Sequence, residues 1–120
     1  MTIQECYQEM GGNYEEAVGR LMSERIVTKF ALKFLNETSF ETLRTTLADQ
    51  NWEEAFRAAH TLKGVCLNLA FTRLARSVEA ITEPLRPGQE DLRAASDIPA
   101  LFAAVEADYQ TTVAALSKMQ

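Results

Sequence analysis

The chain has 120 residues, of which 47% are hydrophobic and 24% are charged, and its formal net charge is −5. This length and composition predict one globular domain spanning residues 1–120 and argue against a disordered chain. The absence of a basic block argues against nucleic acid as a partner, and no apolar run is long enough to span a membrane.

Apolar residues spaced by three and four positions predict helices along the whole chain, and no segment shows the alternation of a strand. The predicted helices span residues 2–10, 14–22, 23–35, 39–49, 52–69, 72–83 and 98–118. Their starts carry typical capping residues, namely Thr2, Asn13, Thr38 and Asn51, each three positions before a glutamate, and Asp97 before Ile98-Pro99. The link 83–97 is predicted to be the least ordered part. We therefore expect an all-α fold, an antiparallel helical bundle with a four-helix core and additional short N-terminal helices.

The helix predicted over residues 52–69 contains the only histidine of the chain. A projection at 100° per residue gives it one apolar sector, formed by Trp52, Ala55, Phe56, Ala59, Leu62, Cys66 and Leu69. His60 lies roughly 115° from the centre of that sector, so we expect it to face solvent. Gly64 and Leu67 follow one and two turns along the same line, and Lys63 lies between this line and the core edge.

Each of these residues alone has a simple structural explanation. The histidine could be a surface residue or a hydrogen-bonded core residue, the lysine a solvated charge, and the glycine a close helix contact or merely a weak point of the helix. Together they place a solvent-facing glycine on the turn that overhangs His60, although glycine costs a helix about 1 kcal/mol. An exposed neutral imidazole is a nucleophile near neutral pH. A phosphoryl group on it could pair with Lys63, and Gly64 would leave room for that group.

The sequence "AHTLKG" at residues 59–64, followed by "NLAFTRLARSVEAI" at 68–81, resembles a histidine-containing phosphotransfer (HPt) domain. The resemblance implies that His60 accepts the phosphoryl group, Lys63 contacts the phosphate and Gly64 keeps access clear. It also implies transfer from the aspartate of one receiver domain to another receiver. The family often has glycine where this chain has Ala70, so the turn after the helix is the point of departure.

Response-regulator receiver domains are the expected partners, and a hybrid sensor kinase is a further candidate. We expect them to bind around His60, on a surface that includes Arg57, Thr61, Leu67 and Asn68, where Asn68 serves either the phosphate region or the turn. No glycine-rich phosphate loop is present, so we expect a phosphotransfer protein without kinase activity of its own. No metal or cofactor is expected, and any Mg²⁺ would belong to the partner receiver.

We also expect a cytoplasmic protein, because the N-terminus does not resemble a signal peptide. In that compartment Cys6 and Cys66 would be reduced thiols. A monomer is the expected oligomeric state. The alternative function is a helical adaptor that binds a receiver-like partner without phosphotransfer. Degenerate relatives of that kind are expected to lack the histidine, whereas His60 is present with Lys63 and Gly64. A metal-binding helical bundle is disfavoured because one histidine supplies too few ligands.

Overall fold

The computed structural model describes residues 1–119, which form α-helices and one 3-10 helix and contain no strand. The helices are α1 (Ile3–Met10), α2 (Tyr14–Leu21), α3 (Glu24–Lys33), α4 (Ser39–Ala48), α5 (Trp52–Asn68), α6 (Thr72–Leu85), α7 (Glu90–Ala94) and α8 (Ile98–Ser117). The 3-10 helix Phe34–Asn36 directly follows α3. The predicted all-α class is confirmed. Over the same residues, no helix is both long and apolar enough to cross a membrane.

Helices α4, α5, α6 and α8 form the four-helix core of the bundle. Only three residues separate α4 from α5, and three separate α5 from α6, so consecutive helices pack as antiparallel neighbours. Aromatic rings join α4 to α8, because Phe40 stacks on Phe102 at 5.6 Å and on Tyr109 at 4.0 Å between ring centroids. The short helix α1 then packs on α8. The predicted four-helix core with additional N-terminal helices is therefore confirmed.

Four of the five predicted capping residues cap their helices. Thr2 and Glu5 form a complete capping box, and Asn13, Asn51 and Asp97 each accept a hydrogen bond from a first-turn backbone N–H. The capping prediction for Thr38 was wrong, since its side chain makes no capping hydrogen bond. Instead, the preceding carboxylate of Glu37 accepts from the Ser39 backbone N–H at 3.0 Å and from its hydroxyl at 2.7 Å.

Helix α6 continues to Leu85, so the prediction that it ends at residue 83 was wrong. Pro84 is tolerated because it lies next to the last residue, where its missing N–H removes a single helical hydrogen bond. Both Pro84 and Leu85 are buried, and this burial favours the extra residues. The link beyond contains α7, whose Arg93 guanidinium lies 4.9 Å from the centre of the Trp52 ring. The link is thus more ordered than its composition predicts.

The N-terminal segment holds the turn between α5 and α6. The Tyr7 hydroxyl donates to the Leu69 carbonyl at 2.7 Å, and the Asn13 backbone N–H donates to the Ala70 carbonyl at 2.8 Å. Gly12 makes this approach possible, because a Cβ there would lie 2.7 Å from the Tyr7 ring and 3.0 Å from the Ala70 carbonyl oxygen. The first helix is therefore bonded directly to the end of the helix that carries His60.

Candidate functional site

His60 lies near the middle of α5 and is exposed to solvent, as the helical projection predicts. The helix buries its opposite side in the core through Ala55, Ala58, Ala59, Leu62 and Cys66. Trp52 and Phe56, which the projection also placed in this sector, pack against the core but are only half-buried. The small alanines bring the neighbouring helices close to α5, while His60 points away from them.

Gly64 leaves open space on the turn that follows His60. A Cβ built at Gly64 would have no heavy atom within 4 Å, so no neighbouring helix requires glycine at this position. Lys63 is half-buried, and within residues 1–119 no carboxylate lies within ion-pairing distance of its ammonium group. The three residues predicted for the site therefore lie together, with an exposed imidazole, an unpaired cation and an unobstructed approach.

Charged groups of α6 lie beside this part of α5. Arg86 donates two hydrogen bonds to Glu83, from Nη2 at 2.8 Å and from Nε at 3.2 Å. These hydrogen bonds lower the pKa of the Glu83 carboxyl, and the positive charge of nearby Lys63 lowers it further. Glu83 thus remains ionised between two cations.

The sequence pattern did not identify Phe56, which contacts His60, or Arg86, which contacts Phe56, as part of the site. The ring of Phe56 stacks on the imidazole, with centroids 5.7 Å apart and planes inclined by 25°. The guanidinium carbon of Arg86 lies 5.0 Å from the centre of the same Phe56 ring. The spacing of four residues between Phe56 and His60 could have revealed the first contact. The second contact, between Phe56 and Arg86, could not be recognised from a local sequence pattern, because Arg86 lies at the end of another helix.

The predicted partner surface is exposed at all four of its further positions, Arg57, Thr61, Leu67 and Asn68. Leu67 retains 39% of its surface, so it presents an apolar side chain to solvent at this position. The Arg57 guanidinium forms ion pairs with two glutamates of its own helix, Glu53 at 3.0 Å and Glu54 at 2.8 Å.

The N-terminal part of the chain borders the exposed surface near Leu67. Arg20 of α2 donates to the Leu67 carbonyl at 3.0 Å and pairs with Glu16 at 2.7 Å. On another side, a shallow groove next to Asn68 is lined by Phe30 and Lys33 of α3. The last turns of α5 are therefore flanked by helices whose contribution the sequence pattern did not indicate.

The turn that follows α5 forms with alanine at position 70, where glycine would favour it. Ala70 adopts a left-handed conformation with φ of 56°. Its N–H donates to the Leu67 carbonyl at 3.2 Å, and the Phe71 N–H donates to the Cys66 carbonyl at 2.9 Å, which is the Schellman pattern of a helix end. Alanine at position 70 is therefore strained by its positive φ, but the turn still forms the hydrogen bonds of a Schellman motif.

A helical bundle that exposes one histidine in mid-helix, with open space on the next turn, has the features of a histidine phosphotransfer domain. The family model described as Hpt domain matches residues 34–115, which is more than half of the chain. The chain therefore belongs to the Hpt domain family. This membership implies histidine phosphotransfer in a phosphorelay, by a domain that lacks a kinase catalytic domain. Neither a curated protein nor a solved structure matches the chain significantly.

Proposed function

We propose that the protein is a phosphorelay intermediate that accepts a phosphoryl group on His60 from a receiver-domain aspartate and passes it to another receiver. The observation that carries the proposal is the open space at Gly64 beside the exposed imidazole of His60. Both the phosphoryl group and the surface of a second protein must reach the ring nitrogen. An unobstructed turn next to the nucleophile is what this chemistry requires.

In the first step, the lone pair of a solvent-facing imidazole nitrogen attacks the phosphorus of the aspartyl phosphate. The new N–P bond forms as the P–O bond to the aspartate breaks, and the aspartate leaves as a carboxylate. The imidazole becomes a phosphoimidazolium that keeps the proton on its other nitrogen. It can release this proton to water. This first step needs no nucleotide bound to this chain.

In the second step, the carboxylate of another receiver attacks the same phosphorus. The N–P bond breaks as the new O–P bond forms, and His60 leaves as a neutral imidazole once its other nitrogen is protonated. Lys63 is suited to accompany both steps, because it lies one turn from His60 and has no ion-pair partner within residues 1–119. Its ammonium would stabilise the charge of the phosphoryl group.

The partners that this reaction requires are receiver domains, and a hybrid sensor kinase could supply the donor receiver. They would contact the surface formed by Arg57, Thr61, Leu67 and Asn68, all exposed around the site. We propose that the protein acts as a monomer in the cytoplasm, where Hpt proteins usually work. The phosphoryl group would always come from a partner, since the proposed reaction gives this chain no kinase step.

The test compares the wild-type protein with His60→Gln. A panel of purified receiver domains is charged with radiolabelled acetyl phosphate and then mixed with each protein. We expect label on the wild type that is lost in acid and stable in base, and no label on His60→Gln. The melting temperatures of the two proteins should be similar, because an exposed substitution usually changes the free energy of unfolding by at most about 0.5 kcal/mol.

A second donor, phosphoramidate, separates the reactivity of His60 from the choice of receiver. Labelling by phosphoramidate without labelling by any receiver would mean that the panel lacks the partner. A receiver that binds tightly while the protein takes no label from either donor would support the adaptor function instead. Full labelling of His60→Gln would overturn the assignment of the phosphoacceptor.

A further inference from the structure

The imidazole of His60 has an aromatic neighbour that the proposed reaction does not require. Phe56 lies one turn earlier on α5, and its ring is inclined by only 25° to the imidazole at a centroid distance of 5.7 Å. An exposed histidine ring otherwise rotates over a broad range about its second side-chain torsion. Stacking of this kind corresponds to a preference of about two- to tenfold for the stacked orientation. The contact therefore restricts the plane of the nucleophile.

Phe56 is itself held in place from two directions. One side of its half-buried ring packs against the core. The Arg86 guanidinium, at the C-terminal end of α6, lies 5.0 Å from the ring centre, and two hydrogen bonds to Glu83 fix this guanidinium. A cation over an aromatic face is attracted by its π electrons. The four residues form a continuous series of contacts from Glu83 through Arg86 and Phe56 to His60.

We propose that Phe56, held by Arg86, is a positioning residue that orients the His60 imidazole for phosphoryl transfer. The stack keeps the ring in one plane and so restricts the directions in which its nitrogen atoms can point. The effect on transfer rests on the proposed function of His60, whereas the orientation of the ring does not. Misplacement of a reacting atom by about 1 Å can slow a reaction by about a hundredfold, so control of the ring plane affects the rate.

The chain contains a matched control for the cation that holds Phe56. Trp52 lies one turn before Phe56 on α5, and the Arg93 guanidinium lies 4.9 Å from the centre of its ring. The distance is close to the 5.0 Å between Arg86 and Phe56, but this pair lies two turns from His60 along the helix. Arg93→Met and Arg86→Met therefore each remove a cation from an aromatic ring, and Arg86→Met also removes two hydrogen bonds to Glu83. Only the second change reaches the imidazole.

The experiment uses NMR spectra of the imidazole protons, which belong to one residue because His60 is the only histidine. In Phe56→Leu these protons should lose the ring-current shift that the phenyl ring causes. Labelling by phosphoramidate and by a charged receiver should slow by about three- to tenfold, in line with the loss of a stacked orientation. Phe56→Tyr should restore both the shift and the rate. Arg86→Met should change both in the same direction as Phe56→Leu but by less, and Arg93→Met should change neither.

Unchanged imidazole shifts in Phe56→Leu would overturn the proposal, and so would equal effects of Arg86→Met and Arg93→Met. A normal transfer rate with altered shifts would also overturn it, because the ring plane would then not control the reaction. If Phe56→Leu unfolds, the pair of arginine variants decides the question. A wild-type protein that takes no phosphate from either donor would contradict the function of His60, while the NMR comparison would still decide the orientation.

Discussion

Gly64 lies inside a 17-residue helix, where glycine lowers helix stability by about 1 kcal/mol relative to alanine. Three glycines of this chain have a conformational or packing reason, since Gly11 and Gly88 have positive φ and Gly12 lies against Tyr7. Gly64 has neither, because a Cβ there would meet open space. Its effect on stability is therefore unfavourable without any compensating contact. We propose that access to His60 is the reason for a glycine at this position.

Replacement of Gly64 by glutamine should separate stability from function. Gly64→Gln should raise the free energy of unfolding by about 0.5 to 1 kcal/mol, because glutamine is a good helix former. The longer side chain should cover the approach to His60 and slow transfer by about ten- to a hundredfold. Thermal unfolding and labelling time courses on the same preparations measure both effects.

Gly19 of α2 provides the matched control, because it too is exposed and helical with nothing within 4 Å of a Cβ. Gly19→Gln should show a similar gain in stability and transfer phosphate at the wild-type rate. Normal transfer by Gly64→Gln would contradict the role of Gly64 in access. Loss of folding in that variant would show that the position faces a neighbouring helix.

The sequence predicted the central part of the site because its members share one helix. His60, Lys63 and Gly64 are separated by three and four residues, and this spacing on one helix determines their common position. Phe56 packs against the core as its position in the apolar sector predicts, but its half-buried ring also stacks on His60, and the apolar pattern does not distinguish such a border residue from a fully buried one. Arg86 could not be predicted, since its contact with Phe56 depends on how α6 packs against α5.

At the scale of elements, the turn between α5 and α6 combines strain with strong attachment. A left-handed conformation costs an alanine about 1 kcal/mol or more. The carbonyls of Leu69 and Ala70 accept hydrogen bonds from Tyr7 and Asn13 of the N-terminal segment. Ala70 is also 4% exposed, so its methyl group is buried. These contacts hold the turn in a conformation that alanine alone would disfavour.

Two alanine-to-glycine changes should therefore have different effects on stability. Ala70→Gly should leave the free energy of unfolding within about 0.5 kcal/mol of wild type, because relief of strain offsets a loss of about 0.8 kcal/mol from the buried methyl. Ala80→Gly, at an exposed position inside α6, should lower it by about 1 kcal/mol. Urea denaturation of both variants gives the comparison. Equal losses would mean that Ala70 is not strained in solution.

Helix boundaries followed from the sequence where a local signal determines them. The caps at Thr2, Asn13 and Asn51 are such signals, because each bonds to its own first turn. The continuation of α6 through Pro84 could not be predicted, since its cause is burial against other helices. Helix α7 is only five residues long, and a short helix is stabilised mainly by tertiary contacts such as that between Arg93 and Trp52.

At the scale of the whole molecule, the packed core extends beyond the residues that match the family. The match begins at residue 34, yet α1 buries Ile3, Cys6, Tyr7 and Met10 almost completely. Full burial of one such side chain contributes about 1.5 to 3 kcal/mol. Four of them together approach the net stability of a typical domain, about 5 to 15 kcal/mol. We therefore expect the N-terminal helices to belong to the same folding unit as the bundle.

A chain that lacks residues 1–33 should fail to unfold cooperatively. Its core would be exposed where α1 packs on α8, and the α5–α6 turn would lose its hydrogen bonds to Tyr7 and Asn13. Circular dichroism during heating and size-exclusion chromatography report the loss of the transition and any association. Tyr7→Phe serves as control, because it keeps the ring and should cost only about 1 kcal/mol. A truncated chain that melts as sharply as the full chain would contradict this prediction.

The two cysteine thiols are buried in different parts of this core, and their reactivity follows from that placement. Cys6 lies on α1 and donates to the Ala115 carbonyl at 3.2 Å, while Cys66 lies on α5 beneath the turn. Burial raises the pKa of both thiols, so the reactive thiolate is scarce in the native state. Alkylating reagents can reach each sulfur only when its surroundings open. The ratio of the two alkylation rates would therefore show whether α1 detaches before the bundle opens or whether both open in one event.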